Sequence, residues 1–315
     1  KYFDKALSLD PKNYFVLYSY SYFQLYSGKI EEGLSNYELR KIVNNYDKSL
    51  FNNYKEWNGE DLNKKTLLVL CEQGLGDTIQ FSRYIFYLKK KFNLNIIFKV
   101  EKKLFHIFEN KNLDLRDGTG ALPIFDYFIF LMSLPKIIYS KEKCFLKNNN
   151  FININYDKLN SWNNKLKDLK GIKIGLSWQG DHNFSRDFMR SINLKMLKPL
   201  FKNKKITFIN LQKGFAVDQI KDLKLENHII DYSSEFDNKG NAFEDTICIL
   251  KNLDIVITTD TAIAHLAGTM ELETWLILHY NPEWRWQIQN KSFSWYPKLR
   301  VFKQKTKNDW FSVIE

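Results

Sequence analysis

Twice in this sequence a short apolar run breaks off into a loop of small and polar residues and a helical pattern starts at once. The first instance is Leu67 to Leu70, then Cys71-Glu72-Gln73-Gly74-Leu75-Gly76-Asp77-Thr78, then the amphipathic run Ile79 to Lys90. The second is Ile255 to Thr259, then Asp260-Thr261-Ala262-Ile263-Ala264-His265. A third apolar run, Ile172 to Leu176, enters the small-residue loop Ser177-Trp178-Gln179-Gly180. Strands that alternate with helices run parallel, because the helix carries the chain back to the starting edge, and such sheets present their ligand loops at the carboxyl ends of the strands. The expected class is therefore α/β, with two Rossmann-like parallel-sheet domains, one on each side of the Asn- and Lys-rich stretch Leu146 to Lys170.

The loop at Gly74 and Gly76 has the geometry to bring a main chain close to a ligand, with free N–H groups at the positive end of a helix dipole. Asp77 does not fit a phosphate there, since a carboxylate would repel it. It is either an N-terminal cap or a general base. Ile79 stands where a dinucleotide fingerprint needs its third glycine, and no Gly-Lys-Ser/Thr follows, so neither that fingerprint nor the P-loop is met. Gly74, Gly76 and Glu101, the last after the strand Leu94 to Val100, favour a dinucleotide oxidoreductase as an alternative.

Residues 1 to 46 read as a helical repeat. Phe3 and Tyr37 lie 34 residues apart, the tetratricopeptide period. Ser21 and Gly33 are small where two helices must approach, and Asp10-Pro11 ends one helix. Four segments follow from this reading: a repeat fragment over 1–46, a first α/β domain over 47–160, a second over 161–293, and a segment 294–315 that packs back on the first. Further strands are expected at Phe125 to Leu131, Lys205 to Leu211 and Thr274 to Leu278, and helices at Leu104 to Glu109 and Thr246 to Leu250.

At 315 residues with 44% apolar content the chain can bury two ordinary cores. Its longest apolar stretch, around Phe128 to Met132, is too short to span a bilayer. The net charge of +11 is spread along the chain without the clustered stripe of a nucleic-acid binder. Cys71, Cys144 and Cys248 have no ligand spacing and suggest reduced thiols, so the expected location is the cytoplasm, free or at the inner face of the membrane.

Together three second-half loops supply hydroxyls, amides and cations: Ser177 to Gly180, Gln212-Lys213, and Asp260 to His265, with Arg190 in the basic stretch Asp181 to Ser191 between them. The first half supplies a carboxylate. Cations and a helix start suit a diphosphate, and a carboxylate across a cleft suits deprotonation of an incoming hydroxyl. There is no Asp-x-Asp and no paired histidine spacing, so no metal or other cofactor is expected, and side-chain cations would neutralise the leaving group. A non-catalytic repeat scaffold is the remaining alternative.

Glu72-Gln73-Gly74-Leu75-Gly76-Asp77-Thr78-Ile79-Gln80-Phe81 with Arg83-Tyr84 resembles the amino-terminal signature of bacterial tetratricopeptide-repeat glycosyltransferases, relatives of the ADP-heptose:lipopolysaccharide heptosyltransferases. Similar matches are Gly175 to Gly180, Arg190-Ser191-Ile192, Leu211 to Gly214, Asp260-Thr261-Ala262 with His265 to Gly268, Trp284-Arg285-Trp286 and Trp295-Tyr296-Pro297. The resemblance implies a two-domain GT-B fold and inverting, metal-independent transfer from a nucleotide sugar to a glycan, lipid or protein acceptor. It implies Asp77 as base. For the donor it implies Gly74, Gly76, Ser177, Trp178, Gly180, Arg190, Gln212, Lys213, Asp260, Thr261, Ala262 and His265.

Overall fold

The computed structural model describes residues 1–46, 51–288 and 294–314. The domain boundaries expected at 47 and 293 lie outside them. Helices α1 (Tyr2–Leu9), α2 (Tyr14–Tyr26), α3 (Ile30–Tyr37) and α4 (Arg40–Val43) come first. Helix α1 stops just before Asp10-Pro11, and the Asn13 side chain caps α2 by accepting from the Val16 N–H at 3.1 Å. A β-carbon at Gly33 would sit 2.7 Å from Leu25 Cγ, so glycine is what lets α2 and α3 pack at this spacing.

The first sheet holds β1 (Lys55–Glu56), β2 (Thr66–Leu70), β3 (Asn95–Lys99), β4 (Asp114–Arg116) and β5 (Tyr127–Phe130), in the order β1-β5-β2-β3-β4. The second holds β6 (Ile172–Ser177), β7 (Ile206–Asn210), β8 (Ile229–Ile230), β9 (Ile255–Thr258), β10 (Thr274–Leu278) and β11 (Leu299–Lys303), in the order β11-β10-β9-β6-β7-β8. Every pairing in both sheets is parallel. The central strands read as unbroken apolar runs because helices cover both faces of such sheets.

Helices α5 (Leu75–Lys91), α6 (Phe105–Phe108) and α7 (Leu134–Glu142) serve the first sheet, and α8 (Tyr156–Leu166) crosses to the second. There α9 (Asp218–Asp222), α10 (Glu244–Leu250), α11 (Ala262–Thr269), α12 (Trp284–Ile288) and α13 (Phe311–Ile314) follow. Ile79 of α5 and Ile263 and Leu266 of α11 belong to one buried cluster, so the apolar core continues across the seam between the sheets. The segment from Ser294, expected to pack back on the first domain, adds β11 to the edge of the second sheet, paired residue for residue with β10. Its Trp295 and Tyr296 still reach α5, where the Arg83 guanidinium lies over both rings.

Strands β1, β4 and β8 are two or three residues long and carry too short a pattern to be read from sequence. Helix α5 begins at Leu75, four residues earlier than its amphipathic run, because Gly74 takes the cap position with an extended backbone. Among the described residues no helix is long and apolar enough to cross a membrane.

Candidate active site between the sheets

After β2 the chain turns sharply at Gln73, which adopts a left-handed backbone (φ 63°). Asp77 is then the third residue of α5 rather than its cap residue. Its Oδ2 reaches back to accept the Gly74 N–H at 3.1 Å, one half of a capping box. The other oxygen, Oδ1, faces the second sheet and accepts from Arg285 Nη1 at 2.5 Å, a contact between residues 208 positions apart. The same nitrogen donates to Gln80 Oε1 at 2.9 Å. Both the Nε and the backbone N–H of Arg285 donate to Glu283 Oε2 at 2.8 Å. Burial pushes the Glu283 carboxyl up to about 7 against the pull of Arg285. Asp260, half-buried, is raised for the same reason, with Arg285 and Arg190 opposing.

The turn carrying Asp77 sits against the start of α11. A β-carbon on Gly76 would lie 2.9 Å from His265 Cδ2 and 3.2 Å from the Ala262 Cα, so the contact requires glycine. Thr261 is the cap residue of α11, yet its side chain makes no capping bond; its hydroxyl pairs with that of Thr258 at 3.2 Å. The first-turn amides of α11 therefore lack a side-chain acceptor, which leaves the positive end of the helix dipole available to an anion.

Around this centre the expected donor residues take different parts. Arg190 Nη1 reaches the Asp260 carbonyl at 3.4 Å, while its Nε is held by Asp187 at 2.9 Å. Gly180 donates its N–H to Ser191 Oγ at 2.9 Å. Gln212 is buried, and its Oε1 accepts from the backbone of Trp178 at 3.1 Å and Gln179 at 3.0 Å, so it shapes the loop after β6. The Ser177 hydroxyl is buried against the same oxygen at 3.4 Å.

Three of the expected donor residues are engaged within the protein. Trp178, expected to line a donor pocket, is fully buried in the second-sheet core, where its indole packs. Lys213, expected to meet phosphate, donates to the Ser233 and Phe236 carbonyls and to Asn238 Oδ1 at 2.7–2.8 Å, which engages all three of its protons. His265 is buried and held neutral by burial; its Nδ1 pairs with the Tyr296 hydroxyl at 3.0 Å and its ring stacks on Trp286 at 4.9 Å. It is part of the joint between the sheets. Glu101, one of the residues that favoured a dinucleotide reading, is exposed and paired with Lys103 at 2.9 Å.

Sequence reasoning missed the roles of Gln80, Glu283 and Arg285. Arg285 lay in the motif Trp284-Arg285-Trp286, which marked it as notable, but nothing in the spacing ties it to Asp77. Among the described residues no group of three or more His, Cys, Asp or Glu side chains is placed to hold a metal ion.

No family model matches the chain. The structure of a glycosyl transferase family 9 protein from Veillonella parvula superposes with a TM-score of 0.57 at 13% identity, covering 82% of this chain and 92% of that one. The fold is of the GT-B type. The iron-containing dodecameric glycosyltransferase TibC from enterotoxigenic E. coli H10407 superposes with a TM-score of 0.50 at 8% identity, over 78% of this chain and 64% of that one. In sequence the chain is 23% identical over 297 residues to protein FlbA of Caulobacter vibrioides, and it spans 49% of that protein's length. At these identities the likeness concerns the fold.

Proposed function

We propose that the chain is a glycosyltransferase that moves a sugar from a nucleotide-sugar donor to a hydroxyl of a glycan, lipid or protein acceptor, with inversion at the anomeric carbon. One observation carries the reading: the carboxylate of Asp77, on the first sheet's α5, lies beside the uncapped amino end of α11 on the second. The diphosphate of the donor takes the α11 amides, with Arg190 beside it. The acceptor hydroxyl gives its proton to Asp77 and attacks the anomeric carbon from the face opposite the diphosphate. The bond to the diphosphate breaks, and the nucleoside diphosphate leaves with the electron pair.

Arg285 gates this chemistry. While its guanidinium holds Asp77 Oδ1, that oxygen is occupied and cannot accept a proton from an incoming hydroxyl. As the diphosphate arrives, Arg285 turns towards it, which frees Asp77 and neutralises the leaving group in one movement. The proton that burial tends to keep on Glu283, raised to about 7, lessens the repulsion a diphosphate would meet there.

The test is a panel of ADP- and UDP-sugars scored by thermal shift and by nucleotide release. A bound donor at a hundred times its Kd should stabilise the protein by about 2.7 kcal/mol. Stabilisation by NAD with none from any nucleotide sugar would overturn the reading.

A further inference from the structure

The amino-terminal helices are wired into the turn that carries Asp77. Arg40, at the start of α4, is fully buried and grips Glu72 with two parallel bonds, Nη2 to Oε1 at 2.7 Å and Nε to Oε2 at 3.1 Å. Its Nη1 donates to Glu38 Oε1 at 2.7 Å and its Nη2 to Ser133 Oγ at 2.8 Å. Ser133 in turn donates to Glu38 Oε2 at 2.8 Å, and the Met132 N–H donates to Glu72 Oε1 at 3.0 Å. One guanidinium thus ties the end of the helical hairpin to the ends of β2 and β5. The next residue along the turn is held as well. Gln73, in its left-handed conformation, donates from Nε2 to the Tyr37 hydroxyl at 2.8 Å, and Tyr37 closes α3. Gly74 follows, its N–H bound to Asp77.

We infer that Arg40 and Tyr37 are positioning residues for Asp77, so that the helical hairpin is part of the candidate catalytic apparatus. The physical reason lies in the turn itself. A left-handed glutamine and a buried glutamate are both costly unless something over-determines them. In the free turn Gln73 would relax and rotate the first turn of α5, carrying Asp77 away from Arg285 and the α11 start. The hairpin supplies the missing constraint, and a misplacement of about 1 Å in such a group can lower a rate about a hundredfold. The inference rests on the glycosyltransferase reading only for its rate arm.

The experiment uses the full chain with Tyr37→Phe, which keeps the ring and loses one hydroxyl, and Arg40→Met. Amide hydrogen exchange over residues 72–78 should speed up by about tenfold in each variant, while β7 and β9 keep wild-type protection. Nucleotide-sugar turnover should fall in kcat, by about tenfold or more, with the donor KM unchanged. Arg40→Lys keeps the charge without the fork and should recover only part of the rate. If Arg40→Met does not fold, Tyr37→Phe decides alone. Exchange over 72–78 and kcat both within about twofold of wild type in a folded variant would overturn the inference, as would a loss confined to donor KM. If wild type neither binds nor turns over any nucleotide sugar, the glycosyltransferase reading fails, and the exchange arm still decides whether the hairpin holds the turn.

Discussion

The two strand-end turns that meet between the sheets are built in opposite ways. The turn from Cys71 to Asp77 is closed on itself: Glu72 is held by Arg40, Gln73 by Tyr37, and the Gly74 N–H by Asp77. The turn from Thr259 to Ala262 is left open, with Thr261 bonded to Thr258 and no side chain over the first amides of α11. A turn whose donors are already satisfied can fix one reactive group in place. A turn that leaves helix-start amides without a side-chain cap can offer them to an anion. The pair therefore divides the labour of a transfer reaction, with chemistry on the closed side and binding on the open side.

Breaking the closed side should have the larger effect. Asp77→Asn keeps an oxygen to accept the Gly74 N–H but cannot take a proton, so turnover should drop by about 10²–10⁴-fold with donor affinity retained. Turnover within a few-fold of wild type would reduce Asp77 to a helix-start residue.

Ala262→Pro probes the open side. Thr261 is extended (φ −135°, ψ 173°) and so tolerates a following proline, and proline at the first helical position leaves the helix intact. It deletes one amide donor. Donor affinity should fall by about tenfold or more, the scale of a hydrogen bond to a charged group, with little change in melting temperature. Unchanged affinity in calorimetry would move the diphosphate away from α11.

Lys213→Ala sharpens the contrast from outside the two turns. Its three bonds lie within the second domain, to the 233–238 segment, so the substitution should cost about 1–3 kcal/mol of stability by leaving acceptors unpaired. Donor affinity should hold. A large loss of donor binding with an unchanged denaturation midpoint would return Lys213 to the phosphate.

Glu283→Gln gives the smallest effect and a definite sign. The wild-type carboxyl is raised from 4.5 to about 7, so below pH 4.5 it is neutral in both states and contributes nothing. From pH 4.5 to 7 the unfolded chain gives up the proton while the folded one keeps it, and stability drains away. Above pH 7 the penalty is complete. Melting curves across this window should fall more steeply for wild type than for Glu283→Gln; parallel curves would show that Arg285 compensates the charge in full.

The long apolar runs made the layout readable. Strands β2, β6, β7, β9 and β10 could be seen because a strand covered on both faces is apolar throughout and ends where polar turn residues begin. Strand β11, Leu299 to Lys303, escaped notice because an edge strand is half-exposed and carries a mixed pattern. Among the site residues, Asp77 and Asp260 to Ala262 were singled out from turn chemistry, and Arg190 from its basic stretch and the family resemblance. Trp178 could not be placed, since an aromatic ring after a strand looks the same in sequence whether it faces a ligand or a core. The partners of Lys213, two backbone carbonyls and Asn238 Oδ1, lie 20 to 25 positions further on and leave no mark on the pattern of its own loop.

By itself the sequence determined the elements, because periodicity, caps and glycines act over a few residues and are written locally. The pairing of residue 77 with 285, the clasp of Arg40 on Glu72, and the seating of Gly76 on Ala262 and His265 were decided by the tertiary structure alone. They join residues tens to hundreds of positions apart. Such contacts exist only after two sheets and a helical hairpin have packed, since it is the burial of the apolar seam that brings their polar groups within reach.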